Sequence, residues 1–345
     1  MNLLSLIENK YKVVSIVGLA KNTGKTTTLN HLIQEAKSAS LPIGITSIGR
    51  DGEDIDLVTE TEKPKIMVYE GMLIATAEDL LPLGTAKIRV LHRSKYSTVL
   101  GDVVIGRVER YGSVQIAGPS GQKGLKDIAD IMLLLGASFV LLDGAIDRKS
   151  SANPSISEAT ILSTGAVLSK DMDKVISETM HTTNMLTLPV LHNNHVYDII
   201  SELIKSKKVA IIDNSLNIEE INIETALGAG KLIGSHLKAN TKYIVIPTSL
   251  TSTIIDDLIS IGKYRNLEIV IDDGTKLFIS SDDYKRYVYL GINIKVMRKI
   301  DILAITLNPT SPRGYSFNAS EFLLKMRDSI KDIPVIDVLH PPQDD

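Results

Sequence analysis

Gly18-Leu19-Ala20-Lys21-Asn22-Thr23-Gly24-Lys25-Thr26-Thr27 is the stretch on which the reading of this chain turns. The residues before it, Lys12–Val17, form a β-branched run of the kind that makes a buried strand. After it, Leu29, Leu32, Ile33 and Ala36 recur at helical spacing. A glycine loop between a strand and a helix aims backbone N–H groups and the positive end of the helix dipole at one point. That is a site for phosphate. In such a loop the N–H groups of residues 21–26 wrap the phosphate oxygens. Lys25 reaches the β- and γ-phosphates, and the Thr26 hydroxyl ligates Mg²⁺. The candidate nucleotide-binding residues are therefore Gly18, Lys21, Asn22, Thr23, Gly24, Lys25, Thr26 and Thr27.

The spacing departs from the common pattern. Five residues separate Gly18 from Gly24, where the usual loop has four between its glycines. Either Leu19 stands at the usual first-glycine position, or the loop is one residue longer.

Composition narrows the function classes. The chain has 345 residues, enough for two domains. Hydrophobic residues make up 43% and charged residues 23%, so a packed core is expected rather than disorder. Lys and Arg total 38 against 41 Asp and Glu, a balance with no overall pull toward nucleic acid or an anionic membrane. The absence of cysteine excludes a disulfide scaffold, a thiolate metal site and a cysteine nucleophile. Residues 1–10 lack the basic start of a signal peptide, and the run Ile131–Leu135 stops at Gly136, far short of a membrane span. The expectation is a soluble, cytoplasmic protein.

Strand-like and helical runs alternate, which predicts an α/β fold with a mostly parallel sheet. Pro42–Ile48 reads as a second strand. Residues 65–118 hold short strands at 72–76, 86–92, 101–108 and 113–117 and read as an antiparallel β insertion or a β-rich subdomain. Helix is expected at 124–135, strand at 139–144 and 166–168, and helix again at 171–183. The α/β rhythm restarts with Val209–Asp213 and continues through 243–247, 267–271, 302–307 and 335–338. The predicted domains are a nucleotide-binding domain over 1–204, with its insertion at 65–118, and a C-terminal α/β region over 205–345 that either forms its own domain or extends the first sheet.

A phosphate loop needs a carboxylate to orient its magnesium. Val140-Leu141-Leu142-Asp143 has the required form, apolar residues ending in an aspartate. Asp51, just beyond the second strand in Ser47–Glu53, is the second candidate. The competing reading is an acidic turn, with Glu53, Asp54 and Asp56 as solvated charge. Between residues 87 and 110, Lys87, Arg89, Arg93, Lys95, Arg107 and Arg110 face only Asp102 and Glu109. This excess reads as a grip for an anionic partner or as the solvated face of a hairpin. Gly118–Gly124 and Asp147–Ser151 are candidate switch loops. His192 and His195 enclose two asparagines and read as a turn rather than a metal site. Asn308–Tyr315 is a polar loop leaving a buried strand, where a second-domain ligand site would lie. No Asn-Lys-x-Asp element for guanine occurs; Ser169-Lys170-Asp171 is a partial echo, and the balance tilts to ATP.

The long loop spacing resembles that of dethiobiotin synthetase and cobyrinic acid amide synthase relatives. Within that branch, which includes the septum-site ATPases, an aspartate after the second strand helps hold magnesium or the attacking water, and Asp51 matches its position. Lys21 resembles the branch's additional loop lysine, although it lies four rather than five residues before Lys25. That lysine touches phosphates and often depends on dimerisation, so a homodimer is one implied arrangement.

Taken together, Ile16–Asn30, Ser47–Glu53 and Leu141–Arg148 resemble the small reactivase subunit found beside the adenosylcobalamin-dependent lysine 5,6-aminomutase of lysine fermentation. The resemblance implies ATP and Mg²⁺ as ligands. It also implies a MutS-related ATPase partner and the aminomutase itself as the protein whose damaged cobalamin is exchanged. Two other resemblances stay open: an ATP-dependent ligase or kinase like dethiobiotin synthetase, and a GTP-binding cofactor-insertion factor like the molybdopterin–guanine dinucleotide accessory proteins. The loops of the latter also read Lys-Asn-x-Gly-Lys-Thr.

Overall fold

A computed structural model describes residues 2–48, 65–145, 152–192, 194–223, 228–262 and 264–339. The chain folds as two compact units, one of residues 1–180 with 301–345, the other of residues 181–300.

The first unit is built on a nine-stranded sheet. Its strands are β1 (Val13–Gly18), β2 (Gly44–Ser47), β3 (Leu73–Ala77), β4 (Lys87–Thr98), β5 (Gly101–Arg110), β6 (Val140–Ala145), β7 (Ala159–Gly165), β8 (Ile302–Asn308) and β9 (Val335–Asp337). They lie in the order β9-β8-β7-β1-β6-β2-β3-β5-β4. From β9 to β3 every neighbouring pair is parallel, and β5 and β4 close the edge as an antiparallel hairpin. Helices α1 (Lys25–Ser38), α2 (Gln122–Leu134) and α3 (Ala319–Ser329) belong to this unit.

The period-two alternation of the strands divides its core. Val14 and Ile16 of β1 and Leu141 of β6 pack with Leu29, Leu32, Ile33 and Ala36 of α1. Their neighbours Val13, Val140 and Leu142 point the other way, onto Leu125, Ile128, Ala129 and Met132 of α2. Each of the buried Val, Leu, Ile and Met side chains among these contributes roughly 1.5–3 kcal/mol, and the two alanines less. Both helix faces are apolar at 3.6-residue spacing, so the sheet is sandwiched and its strands read as near-continuous apolar runs.

Three expectations change. Residues 301–345 do not join residues 205–300 in a C-terminal domain. The apolar run 303–307 completes the first sheet beside β7, so the second unit is an insertion between β7 and β8 rather than the distal half of the chain. The strand expected at 166–168 is instead β7 at 159–165, followed by a turn. Its apolar residues are interleaved with Thr160, Ser163 and Thr164, all buried and hydrogen-bonded, which hides the strand from a hydropathy reading. Of the two readings of 65–118 the antiparallel insertion holds and the separate subdomain does not, because β3 pairs in parallel with β2 and the hairpin extends the same sheet. β4 is its edge, broken by irregularities in register and rich in Lys and Arg, devices that discourage edge-to-edge pairing.

The second unit has a five-stranded sheet in the order 218–221, 209–213, 241–245, 268–271, 293–296. The last three strands run parallel. Ile211, Ile244, Ile269 and Ile294 face Ile233, Ile255 and Leu258 on one side. Ala210, Ile212, Val245 and Val270 face Val196, Ile200 and Leu203 on the other. Among the described residues no helix is long and apolar enough to cross a membrane.

Candidate phosphate-binding site

β1 ends at Gly18, and α1 begins at Lys25 with Gly24 as its N-cap. The departure in spacing has a simple structural outcome. Leu19 continues the ladder, its N–H donating to the Ser163 carbonyl at 2.9 Å. The left-handed backbone of the loop falls instead at Asn22 (φ 62°) and Gly24 (φ 92°). A side chain is therefore tolerated at position 19, while glycine is the natural occupant at position 24.

Gly18 is required for a different reason. A Cβ there would meet Thr23 Oγ1 at 2.4 Å and the Cγ and Cδ of Lys25 at 2.7 and 2.8 Å. The lysine side chain thus folds back over Gly18, and Thr23, itself buried, donates its hydroxyl to the Ala20 carbonyl at 3.0 Å. Lys25 Nζ lies 4.0 Å from Asp143 Oδ1, with both side chains largely shielded from solvent. The aspartate is brought there by strand adjacency. β6 pairs with β1 so that Asp143 stands opposite Ile16, on the same sheet face as Leu141 and α1.

The electrostatics favour an anion at the loop. No acidic side chain lies in the first turn of α1 and no side chain caps its N-terminus, so the helix dipole and the Lys25 ammonium act together. Lys21 is exposed at the loop surface, and Thr26 and Thr27 follow half-buried in the first turn. The residues fit a magnesium–nucleotide pair. Among the described residues no group of three or more His, Cys, Asp and Glu side chains gathers to form a cage. Mg²⁺ is commonly held by one or two carboxylates with substrate phosphates, and Thr26 and Asp143 are the groups on hand. Asp51 and residues 147–151 lie outside the described residues.

Asn308 is a site residue that the sequence reading assigned elsewhere. Its Nδ2 donates to the Asn22 carbonyl at 3.1 Å. Its Cβ lies 3.1 Å from where a Cβ on Gly24 would be. The polar loop at 308–315 therefore starts against the phosphate loop and not in a second-domain pocket. The position of β8, two strands from β1, is the signal that was missing.

Other candidates resolve differently. The 118–124 loop is held against the end of β2, where the Gly118 N–H donates to Ser47 Oγ at 3.4 Å and a Cβ would strike the Ser47 carbonyl at 2.1 Å. Since Ser47 pairs with Asp143, this loop borders the site. The basic hairpin is partly neutralised within the chain. Lys87 and Arg89 reach Glu109, Arg93 pairs with Glu78, and Lys95 with Asp127. Arg107 Nη2 donates to the Leu135 carbonyl at the end of α2. Asp171 is a helix cap, accepting from the N–H of Asp173 at 2.9 Å.

No protein-family model matches this chain, and no curated protein or solved structure matches it either.

Proposed function

We propose that this protein binds a nucleoside triphosphate with Mg²⁺ at the 18–27 loop and hydrolyses it. The observation that carries the reading is Lys25 lying across Gly18 toward Asp143, with an uncapped helix N-terminus behind it. Backbone N–H groups at residues 21–26 would hold the β- and γ-phosphates. Lys25 would neutralise the charge that develops on the transferred group, and Thr26 and Asp143 would hold the metal. Bound Mg²⁺ would supply Lewis-acid neutralisation of the phosphate oxygens. The absence of an Asn-Lys-x-Asp element favours ATP over GTP.

The finer reading is that the ATPase is the small reactivase subunit for lysine 5,6-aminomutase, acting with a MutS-related partner. Its support is the resemblance of Ile16–Asn30, Ser47–Glu53 and Leu141–Arg148. Nucleotide binding would supply the differential free energy between a closed enzyme that traps damaged cobalamin and an open one that releases it. The test is phosphate release from ATP and GTP by the purified protein, alone and with aminomutase plus partner. ATP turnover that rises with the partners and disappears in Lys25→Ala supports both readings. Turnover indifferent to the partners retires the reactivase reading, and no nucleotide binding retires both.

A further inference from the structure

The face that α1 turns to the sheet is apolar at Leu29, Leu32, Ile33 and Ala36, but at its first turn it presents the hydroxyl of Thr28. Thr28 Oγ1 lies 2.8 Å from Thr306 Oγ1 of β8. Thr306 Oγ1 in turn lies 2.8 Å from Ser163 Oγ of β7, and Ser163 closes the triangle to Thr28 at 3.4 Å. All three residues are buried. Three hydroxyls carry three protons and ample lone pairs, so each can donate once and accept once within the node. Apolar side chains of the same shape would fill this space without the desolvation cost of hydroxyls. What the hydroxyls add is direction. A hydrogen bond weakens steeply off its geometry, whereas methyl packing tolerates sliding.

We propose that Thr306, with Ser163 and Thr28, forms a positioning node that pins the first turn of α1 and so holds Lys25 and Thr26 in register for a nucleoside phosphate. The functional half of this inference rests on the nucleotide-binding reading above. The lever is short, because the Thr28 N–H donates to the Gly24 carbonyl at 2.9 Å, one turn back at the start of the helix. Two residues further along β8, Asn308 holds the Asn22 carbonyl. β8 therefore fixes the loop on both sides of Lys25, from a strand that does not touch β1 in the sheet. The node is neutral, and its effect is independent of pH near neutrality.

Thr306→Val removes the hydroxyl and keeps the shape, while Thr306→Ser keeps the hydroxyl. The measurements are amide hydrogen exchange over residues 24–28 in nucleotide-free protein, and the affinity for ADP and ATP with Mg²⁺. Thr306→Val is expected to speed exchange over 24–28 and weaken nucleotide binding about three- to tenfold, with Thr306→Ser restoring binding to within about twofold. If Thr306→Val fails to fold, Ser163→Ala carries the same comparison. Exchange over 24–28 equal to wild type in a folded variant overturns the node, even if its melting temperature falls. Faster exchange with unaltered affinity overturns the functional half. A wild-type protein that binds neither nucleotide overturns the nucleotide reading and with it that half, while the exchange measurement still decides whether the node pins the turn.

Discussion

The side-chain amide of Asn308 donates to the backbone carbonyl of Asn22 at 3.1 Å, joining positions 286 residues apart. Asn22 adopts a left-handed backbone conformation, which asparagine tolerates better than most residues with a side chain but less freely than glycine. The bond from β8 helps hold that conformation. Asn308→Ala should relax the loop and weaken Mg²⁺–nucleotide binding about three- to tenfold, the cost of one net hydrogen bond. Titration with a fluorescent ATP analogue checks this, and affinity equal to wild type would show that the loop holds its shape unaided.

Gly18→Ala tests the crossing of Lys25 over the loop. The added Cβ would lie 2.4 Å from Thr23 Oγ1 and 2.7 Å from Lys25 Cγ, so one of them must move. Overpacking of this kind costs about 1–3 kcal/mol. The expected outcome is a lower melting temperature together with loss of phosphate release. Gly24→Ala should act through the backbone instead, costing about 1–2 kcal/mol for an L-residue held at positive φ.

Much of this site was legible in the residues. The strand before Gly18, the helical spacing of Leu29, Leu32, Ile33 and Ala36, and the apolar run into Asp143 are local patterns with one structural meaning each. What stayed hidden depended on partners far along the chain. β7 mixes buried hydroxyls with apolar residues, and those hydroxyls become acceptable only once Thr28, Thr306 and Ser15 face them. That the strands at 302–308 and 335–337 extend the first sheet, one of the two readings open from the sequence, could not be decided there because an inserted α/β unit has the same rhythm as its host. The basic run at 87–110 left two readings open, a grip or a solvated face, because Glu78 and Asp127, which neutralise part of it, lie outside that window.

Those pairings make a prediction about polyanions. With Arg93 beside Glu78, Lys95 beside Asp127, and Lys87 and Arg89 sharing Glu109, the positive charge left to displace counterions from nucleic acid is reduced. At about 0.15 M salt the protein should show no binding to duplex or single-stranded DNA in a polarisation assay. Charge-reversing Glu78 and Asp127 to Lys should create such binding. Salt-sensitive DNA binding by the wild type would restore the grip reading.

The second unit carries its own pH dependence. Asp273 is fully buried, and burial pushes its carboxyl above the ordinary carboxylate range; Asp272 adds to the shift, while Thr275 and Arg298 oppose it. The native state therefore holds this proton more tightly than the unfolded chain. Its contribution is most favourable below the unfolded value and is lost as pH rises through the native one. Asp273→Asn, which stays neutral throughout, should gain thermal stability relative to wild type as pH rises from about 4 to about 8. A difference in melting temperature that stays constant across that range would mean that Asp273 remains ionised in the folded protein.

Lys25 and Asp143 allow the structural and catalytic consequences of one contact to be separated. Their charged atoms lie 4.0 Å apart and both side chains are mostly buried, so the two charges attract each other with little screening by solvent. Lys25→Ala and Asp143→Asn should each lower stability, and the double variant should lose less than their sum, with a coupling of about 0.5–1 kcal/mol. Catalysis should not follow that arithmetic. A lysine that stabilises the transferred phosphoryl group and an aspartate that holds its metal act as one unit, so each single variant should already abolish phosphate release and the double should restore none. Chemical denaturation and single-turnover phosphate release on the four proteins make the comparison. Coupling in stability with turnover intact in either single variant would mean that the pair is a structural bridge, and that the chemistry at this loop is done by other groups.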